Sequence, residues 1–478
     1  MSDPSPQAPP QLKSIHDRLS NFPDRFGPML VKELRQGLRG HGFTLLFLIL
    51  QIILFLFFLG VFTNPDSQGE GLSTLLFFFF GIALCVVQPL RCMGAISNEV
   101  KNDTLDLIRL TGMSSWRIVI GKWSSVVSQS ALVLATALPY LITRYFLGGM
   151  ELFAELTLLT LLFFISAAIT AGFVATSAST LIILRLLPIL LSIGIMLFLS
   201  VMCLEEFDEL ISFASPSDSS SWSILLGVFA FVAFICYLAL EIATTRISAS
   251  SENRAFIKRP IMLLLAVTLA LPFSIFQTDY AEAGVFCGLF LWICTVDLIS
   301  ERINAAPSVP NKFSKLGIFG VFGKIFFLPV WRSGLLFLFL LITFFLVTSE
   351  IAFRKDSYRY TTDDNSLLIF SSHILSLTFV TRLISRTEKG DSFGLFVILS
   401  TSSLFIPFIF EIFEHLRFIE VAYVVFPFGL FNCYEDYDGL LYSSFILFLL
   451  LNLLLIGHNY QKERKTQKVV QQVTTSSN

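Results

Sequence analysis

Few residues in this sequence stand at spacings that support catalysis. Gly121-Lys122 and Gly323-Lys324 are the only Gly-Lys pairs, and neither has a Gly five positions before it or a Ser or Thr after it. A phosphate-cradling loop needs both, so the chain is not expected to hydrolyse ATP. Glu411, Glu414 and His415 lie together in FEIFEHLRF (410–418), but the second His of a zinc motif is missing, and a solvated helix end accounts for them. No His is followed by Glu, no Gly-x-Ser-x-Gly elbow occurs, and the seven Cys form no C-x-x-C pair. No catalytic residue, metal ligand or cofactor is expected in this chain. The stretch that can do chemistry is a docking segment, NEVKNDTLDLIRLTGMSSWRIVIGKW (98–123). Asp103 can cap a short helix, with Asp106 three residues on. Thr104, Leu105, Leu107, Ile108 and Leu110 supply its body, and the leucines give it an apolar surface. Gly112 stops it, because Gly tolerates the left-handed conformation that follows a helix end. Ser114 or Ser115 can cap the next helix, begun by Trp116 and continued by Gly121 and Lys122. A short, greasy, capped helix of this kind fits a groove on another protein.

The elements around this segment are membrane helices. Hydrophobic residues make up 54% of the 478, charged residues only 14%, and Phe alone accounts for 52. A soluble chain carries roughly 25% charged residues, so a soluble domain and a disordered chain are both excluded. The net charge of −2 gives no reason to expect nucleic acid. The fold class is all-α, a polytopic integral membrane helix bundle. About 20 apolar residues cross a bilayer, and twelve segments fit: 43–62, 73–94, 123–147, 155–177, 186–204, 222–242, 261–277, 283–300, 333–349, 367–385, 393–413 and 440–458. With both termini cytoplasmic, 28 of the 33 Lys and Arg face the cytoplasm, leaving Arg144, Arg354, Lys355, Arg359 and Arg417 outside. Positive charge is retained inside, so the split supports twelve spans in a cell (inner or plasma) membrane. The first 42 residues are polar, Pro-rich at the tip, and not expected to be a cleavable secretory signal.

Within the first 42 residues, RFGPMLVKELRQGLRGHGF (25–43) reads as an amphipathic helix at the headgroup level. Phe26, Leu30, Leu34 and Leu38 repeat every four residues, and Lys32, Arg35 and Arg39 lie on another side. A topology anchor accounts for the same pattern. In the fourth span, Ala168, Ala171, Gly172 and Ala175 form a small-residue stripe. Such stripes let helices approach closely, either inside one bundle or at a subunit interface. Glu241, Asp297 and Glu411 fall near expected span ends, where snorkelling to the interface explains them. The acidic stretch around Glu205, Glu206, Asp208 and Glu209 reads as a solvated outer loop.

The segment 98–122 resembles the ABC-2 family, the membrane-spanning subunits of ATP-driven transporters. The residues that carry the resemblance are Glu99, Thr104-Leu105, Leu107 to Leu110, Trp116 and Gly121-Lys122. Asp103-Thr104-Leu105-Asp106 stands where the family usually has Gly-Thr-Leu-Glu. The resemblance implies a permease that couples to a separate ATPase chain through Glu99, Thr104, Leu105, Leu107, Leu110, Trp116, Gly121 and Lys122. It also implies that the helix holding Phe26, Leu30, Lys32, Leu34, Arg35, Leu38 and Arg39 touches that ATPase, and that residues 43–245 form the six-helix permease. The resemblance further implies short re-entrant helices in the outer segment 203–222, beside the solvated loop that its acids suggest. An exporter is the expected activity. A secondary carrier without an ATPase is the alternative, and an integral membrane enzyme comes third. Residues 246–478 form a second six-helix region with a basic tail, KERKTQK (462–468). They are either a degenerate second permease domain or a separate extension. The two halves share no convincing sequence repeat: ISNE (96–99) and ISER (299–302) are too short to make one, and the basic loops 301–334 and 382–391 do not repeat the coupling motif. Trp331 and Arg332 are expected to start the ninth span. Lipid and an ATPase are the expected partners, and a dimer of like or unlike permease chains stays open.

Single-cysteine labelling from outside intact cells should modify positions within 205–220, 355–363 and 434–438. Labelling at 250 or 465 under the same conditions would overturn the twelve-span arrangement.

Overall fold

The computed structural model describes residues 27–63, 69–101, 104–110, 112–147, 151–177, 183–205, 207–215, 219–248, 253–275, 280–300, 317–328, 331–353, 366–384, 392–403 and 441–458. Among these, 93% are helical and none lies in a strand. Continuous apolar runs leave the backbone no polar partner except its own next turn, so helices are the required local structure. Seven described helices are long and apolar enough to cross a membrane: Ser115–Thr143, Leu152–Ser177, Leu184–Cys203, Leu225–Ile247, Trp331–Ser349, Leu367–Ile384 and Leu441–His458.

Other expected spans take less regular forms. The first lies in the helix His41–Thr63, which follows the helix Pro28–Arg39 across a bend of 59°. Gly40, in extended conformation, makes the break. The second is interrupted: Gly69–Gly81 passes into a π-helical turn, Ile82–Val87, before Gln88–Leu90. A π turn displaces backbone carbonyls from regular partners. Here the Leu84 carbonyl accepts a hydrogen bond from the Ser166 hydroxyl at 2.6 Å. The seventh expected span falls on the helix Ala255–Ile275, and the eighth contains the shorter apolar run Cys287–Ile299. The eleventh is described only over Ser392–Ser403, and residues 404–440 and 459–478 lie outside the described residues.

The chain divides into two compact units, residues 1–177 with 188–215 and residues 178–187 with 216–478. The sixth expected span, within Ser219–Ile247, clusters with the second unit. In the first unit, Leu152–Ser177 is the central element. Trp123 donates its indole N–H to the Ala167 carbonyl at 2.9 Å, and Ser177 accepts from the Ile96 amide at 3.3 Å. The stretch read as a solvated loop instead contains a helix, Phe207–Ala214, whose Ala214 is fully buried. Its apolar face, led by Phe207 against Phe77, outweighs the acidic character that suggested a loop.

In the second unit, Phe290 is fully buried between Phe234, with ring centroids 5.1 Å apart, and Phe345 at 5.7 Å. The snorkelling account of Glu241 and Asp297 does not hold. Both are buried and paired, Glu241 with Arg254 at 2.6 Å and Asp297 with Lys258 at 3.0 Å. Neighbouring helix ends supply the cations, so these carboxylates need not reach the headgroups. Arg259 extends the same cluster to the Ile325 carbonyl and to the Ser333 hydroxyl at 3.2 Å. Glu411 lies outside the described residues. His373, which interrupts the tenth span, meets the Ser403 hydroxyl at 2.8 Å, and Arg382 stacks over Trp331 at 4.8 Å. The ninth span starts at Trp331, as read.

Breaking a fully buried ion pair by removing one partner costs about 3–5 kcal/mol, whereas an apolar replacement of both is often neutral. Lys258→Met should therefore lower the melting temperature in detergent sharply, and adding Asp297→Leu should restore most of it. An unchanged melting temperature in the single variant would show that the pair contributes nothing.

Candidate functional site

The site is built where three segments of the first unit meet: the helix Pro28–Arg39, the polar stretch after Leu90, and the helix Ser115–Ala135. The helix Pro28–Arg39 starts with Pro at its first turn, which suits a position whose N–H has no helical partner. Its residues Met29, Glu33 and Gly37 recur every four positions and face Ser115–Ala135. Met29 meets Gly121 so closely that a Cβ on Gly121 would stand 2.9 Å from the Met29 Cβ. Glu33 pairs with Lys122 at 3.0 Å. The Gly37 carbonyl accepts from the Arg91 guanidinium at 3.1 Å.

Lys122 is the centre. Its side chain is 6% exposed, and its ammonium also pairs with Glu99 at 3.1 Å. Lys32, on the open side, stands 4.0 Å from both Glu33 and Glu99. The Thr104 hydroxyl donates to the Glu99 carboxylate. Burial alone works to raise the Glu99 carboxyl. Hydrogen bonds from Thr104 and Lys122, with the charges of Lys122 and Lys32, outweigh it and hold the group below its usual range. A second cation, Arg91, bonds Gln88 at 3.1 Å and Gln129, and sits 5.6 Å over the Phe43 ring. Two basic residues thus bind the amphipathic helix, the ends of the first two spans and the third span.

The polar stretch forms two short helices, Ser97–Lys101 and Thr104–Leu110. Gly112 then adopts φ +80°, the left-handed turn expected after the helix, and Ser114 takes the cap position of the next helix without a side-chain bond. Leu107 is 64% exposed and Leu110 is 83% exposed, so the leucine knob has no cover within the described residues. Trp116 is half-buried near the start of Ser115–Ala135. The side chains of Leu105 and Asp106, and residues Asp103 and Phe26, lie outside the described set.

Glu99, Thr104, Gly121, Lys122 and Lys32 are therefore brought together. Leu30, Leu34 and Leu38 are half-buried beside the docking face, and Arg35 and Arg39 point to the exposed side. The small-residue stripe stands apart from this site. Ala171 and Ala175 are buried, Ala168 is half-buried, and a Cβ on Gly172 would meet open space. Sequence reasoning missed Glu33, Arg91 and Gln129. An acid inside an amphipathic stripe reads as solvent face, and only the spacing Met29–Glu33–Gly37 could have marked it. Comparison with protein-family models, curated proteins and solved structures finds no match to this chain.

Lys122→Met leaves the two carboxylates facing each other with only the exposed Lys32, 4.0 Å from each, beside them. Backbone hydrogen exchange across residues 28–39 should rise, and Lys122→Arg should restore most of the protection. Because the Glu99 carboxyl is held below its ordinary value of 4.5, the clasp is complete above that pH and weakens as pH falls through the lowered value. Protection factors across 28–39 that stay unchanged as pH falls from 6 through the carboxylate range would show that Glu99 does not hold the helix.

Proposed function

We propose that this chain is the membrane-spanning subunit of an ABC-2 type ATP-driven transporter, an exporter in the cell (inner or plasma) membrane, with twelve spans and both termini cytoplasmic. A separate ATPase chain supplies the energy. The observation that carries this reading is the exposed Leu107–Leu110 knob, joined through Thr104 and Glu99 to Lys122 on the third span and to Glu33 on the amphipathic helix. An uncovered apolar surface beside a rigid charged clasp suits a partner that must push. ATP-driven closure of the ATPase would press on residues 97–110. The Lys122 clasp would pass the displacement to Ser115–Thr143 and to Pro28–Arg39 as one body. Residues 28–39 and 97–116 form the coupling surface in this reading, and residues 43–245 the permease proper.

Burying a Leu side chain contributes roughly 1.5–3 kcal/mol. The pair Leu107→Asp and Leu110→Asp removes that gain twice and sets charge against an apolar groove. ATPase co-purified per permease should fall, or its hydrolysis should uncouple from transport, while the bundle still inserts. Lys468→Ala in the tail serves as the control and should change nothing. Full ATPase association with full transport in the double Asp variant would remove the main support for this reading.

A further inference from the structure

We infer that the joint between the amphipathic helix and the first three expected spans is a binding site for the phosphate of an anionic phospholipid, held by Arg91 and Gln88. The inference does not depend on an ATPase. It rests only on the placing of Pro28–Arg39 at the headgroup level.

Arg91 carries a charge that no acid matches among the described residues. Its Nη1 donates to the Gln88 side-chain carbonyl at 3.1 Å and to that of Gln129, and its Nη2 donates to the Gly37 carbonyl at 3.1 Å. All three acceptors are neutral, and so is the Phe43 ring 5.6 Å away. A guanidinium has five N–H donors. Two of them, the Nε–H included, therefore have no acceptor among the described residues. The acids of the clasp are already taken. Glu33 and Glu99 both pair with Lys122, and Lys32 stands 4.0 Å from each. Two carboxylates balance two ammonium groups, and Arg91 remains as excess positive charge.

Gln88 points to the same place. It is fully buried, and its Nε2 has no acceptor among the described residues. That nitrogen shares a carbon with the Oε1 that Arg91 engages, so it stands beside the guanidinium. A buried donor left unmade is costly. Gln129 shows the satisfied alternative, since its Nε2 donates to the Ser125 carbonyl at 3.2 Å.

Bracing a helix end accounts for part of this arrangement. The Gly37 carbonyl lies in the last turn of Pro28–Arg39, where the helix dipole favours a cation. That explains one donor of Arg91. It leaves the Nε–H and the Gln88 amide, and both lack acceptors. A ligand that completes the joint must bring acceptors and negative charge. Its depth selects the ligand further. Arg91 lies near the end of the second expected span, Phe43 begins the first, and the chain bends at Gly40 between the flat helix and that span. Phosphate is the anion present at headgroup level. Arg91 is half-buried, so a phosphate reaches it from the open side, and the planar fork of a guanidinium suits phosphate oxygens. Further along the first span, Leu45, Leu48, Ile49 and Ile52 are exposed on one face, where acyl chains lie.

The test uses the full chain in a neutral detergent. Its melting temperature and native mass spectrum are recorded with added phosphatidylglycerol, phosphatidylcholine or inorganic phosphate. Phosphatidylglycerol should raise the melting temperature and stay on the chain as a single copy, and the other two should do neither. Gln88→Glu sets a carboxylate beside Arg91 in place of the lipid. It should melt no lower than the unaltered chain and lose the response to phosphatidylglycerol. Arg91→Gln should lose the response as well. Because Arg91 also braces the helix, Gln88→Glu decides if that variant fails to fold. Arg117→Gln removes an exposed cation outside the site and should keep the full response. No response in the unaltered chain overturns the site, and so does a Gln88→Glu chain that melts lower or still responds. An equal response to inorganic phosphate overturns the lipid. An equal loss in Arg117→Gln reduces the effect to diffuse attraction and overturns the site too. None of these outcomes involves an ATPase, so the site and the transporter reading stand or fall separately.

Discussion

A lysine ammonium buried in an otherwise apolar protein must find carboxylates, and Lys122 finds two on different parts of the chain. That requirement organises the first unit. Glu33 and Glu99 are separated by two spans in sequence, yet each comes within about hydrogen-bonding distance of one cation. Lipid supplies no hydrophobic force between helices, so association depends on close packing and on the few polar contacts available. Gly121 lets the amphipathic helix approach closely enough for Glu33 to reach Lys122. A side chain larger than hydrogen there would hold the carboxylate away. The packing detail and the electrostatic detail are therefore one constraint.

The second unit solves the same problem with other residues. Arg254, Lys258 and Arg259 lie within six positions at the start of one helix, and they gather Glu241, Asp297 and the Ile325 carbonyl from three other segments. In both units scarce charges are spent at helix ends, where they fix which ends meet. The apolar interior between those ends is filled by interchangeable Leu and Phe. It contributes cohesion without specifying neighbours.

Much of this was legible in the sequence. The helices follow from apolar runs, the turn at Gly112 from its residue type, and the nearness of Glu99 to Lys122 is consistent with the spacing of a short excursion between two spans. What escaped was pairing across distance. Glu33 drew no reading of its own, because its partner lies 89 positions away. Glu241 and Asp297 looked like snorkelling acids, because hydropathy places a residue by depth and says nothing of the cation beside it. The interrupted second span read as a plain helix, since no residue type announces a π turn. The leucine knob was the easiest feature to read, because its leucines stand in a short polar excursion between two spans.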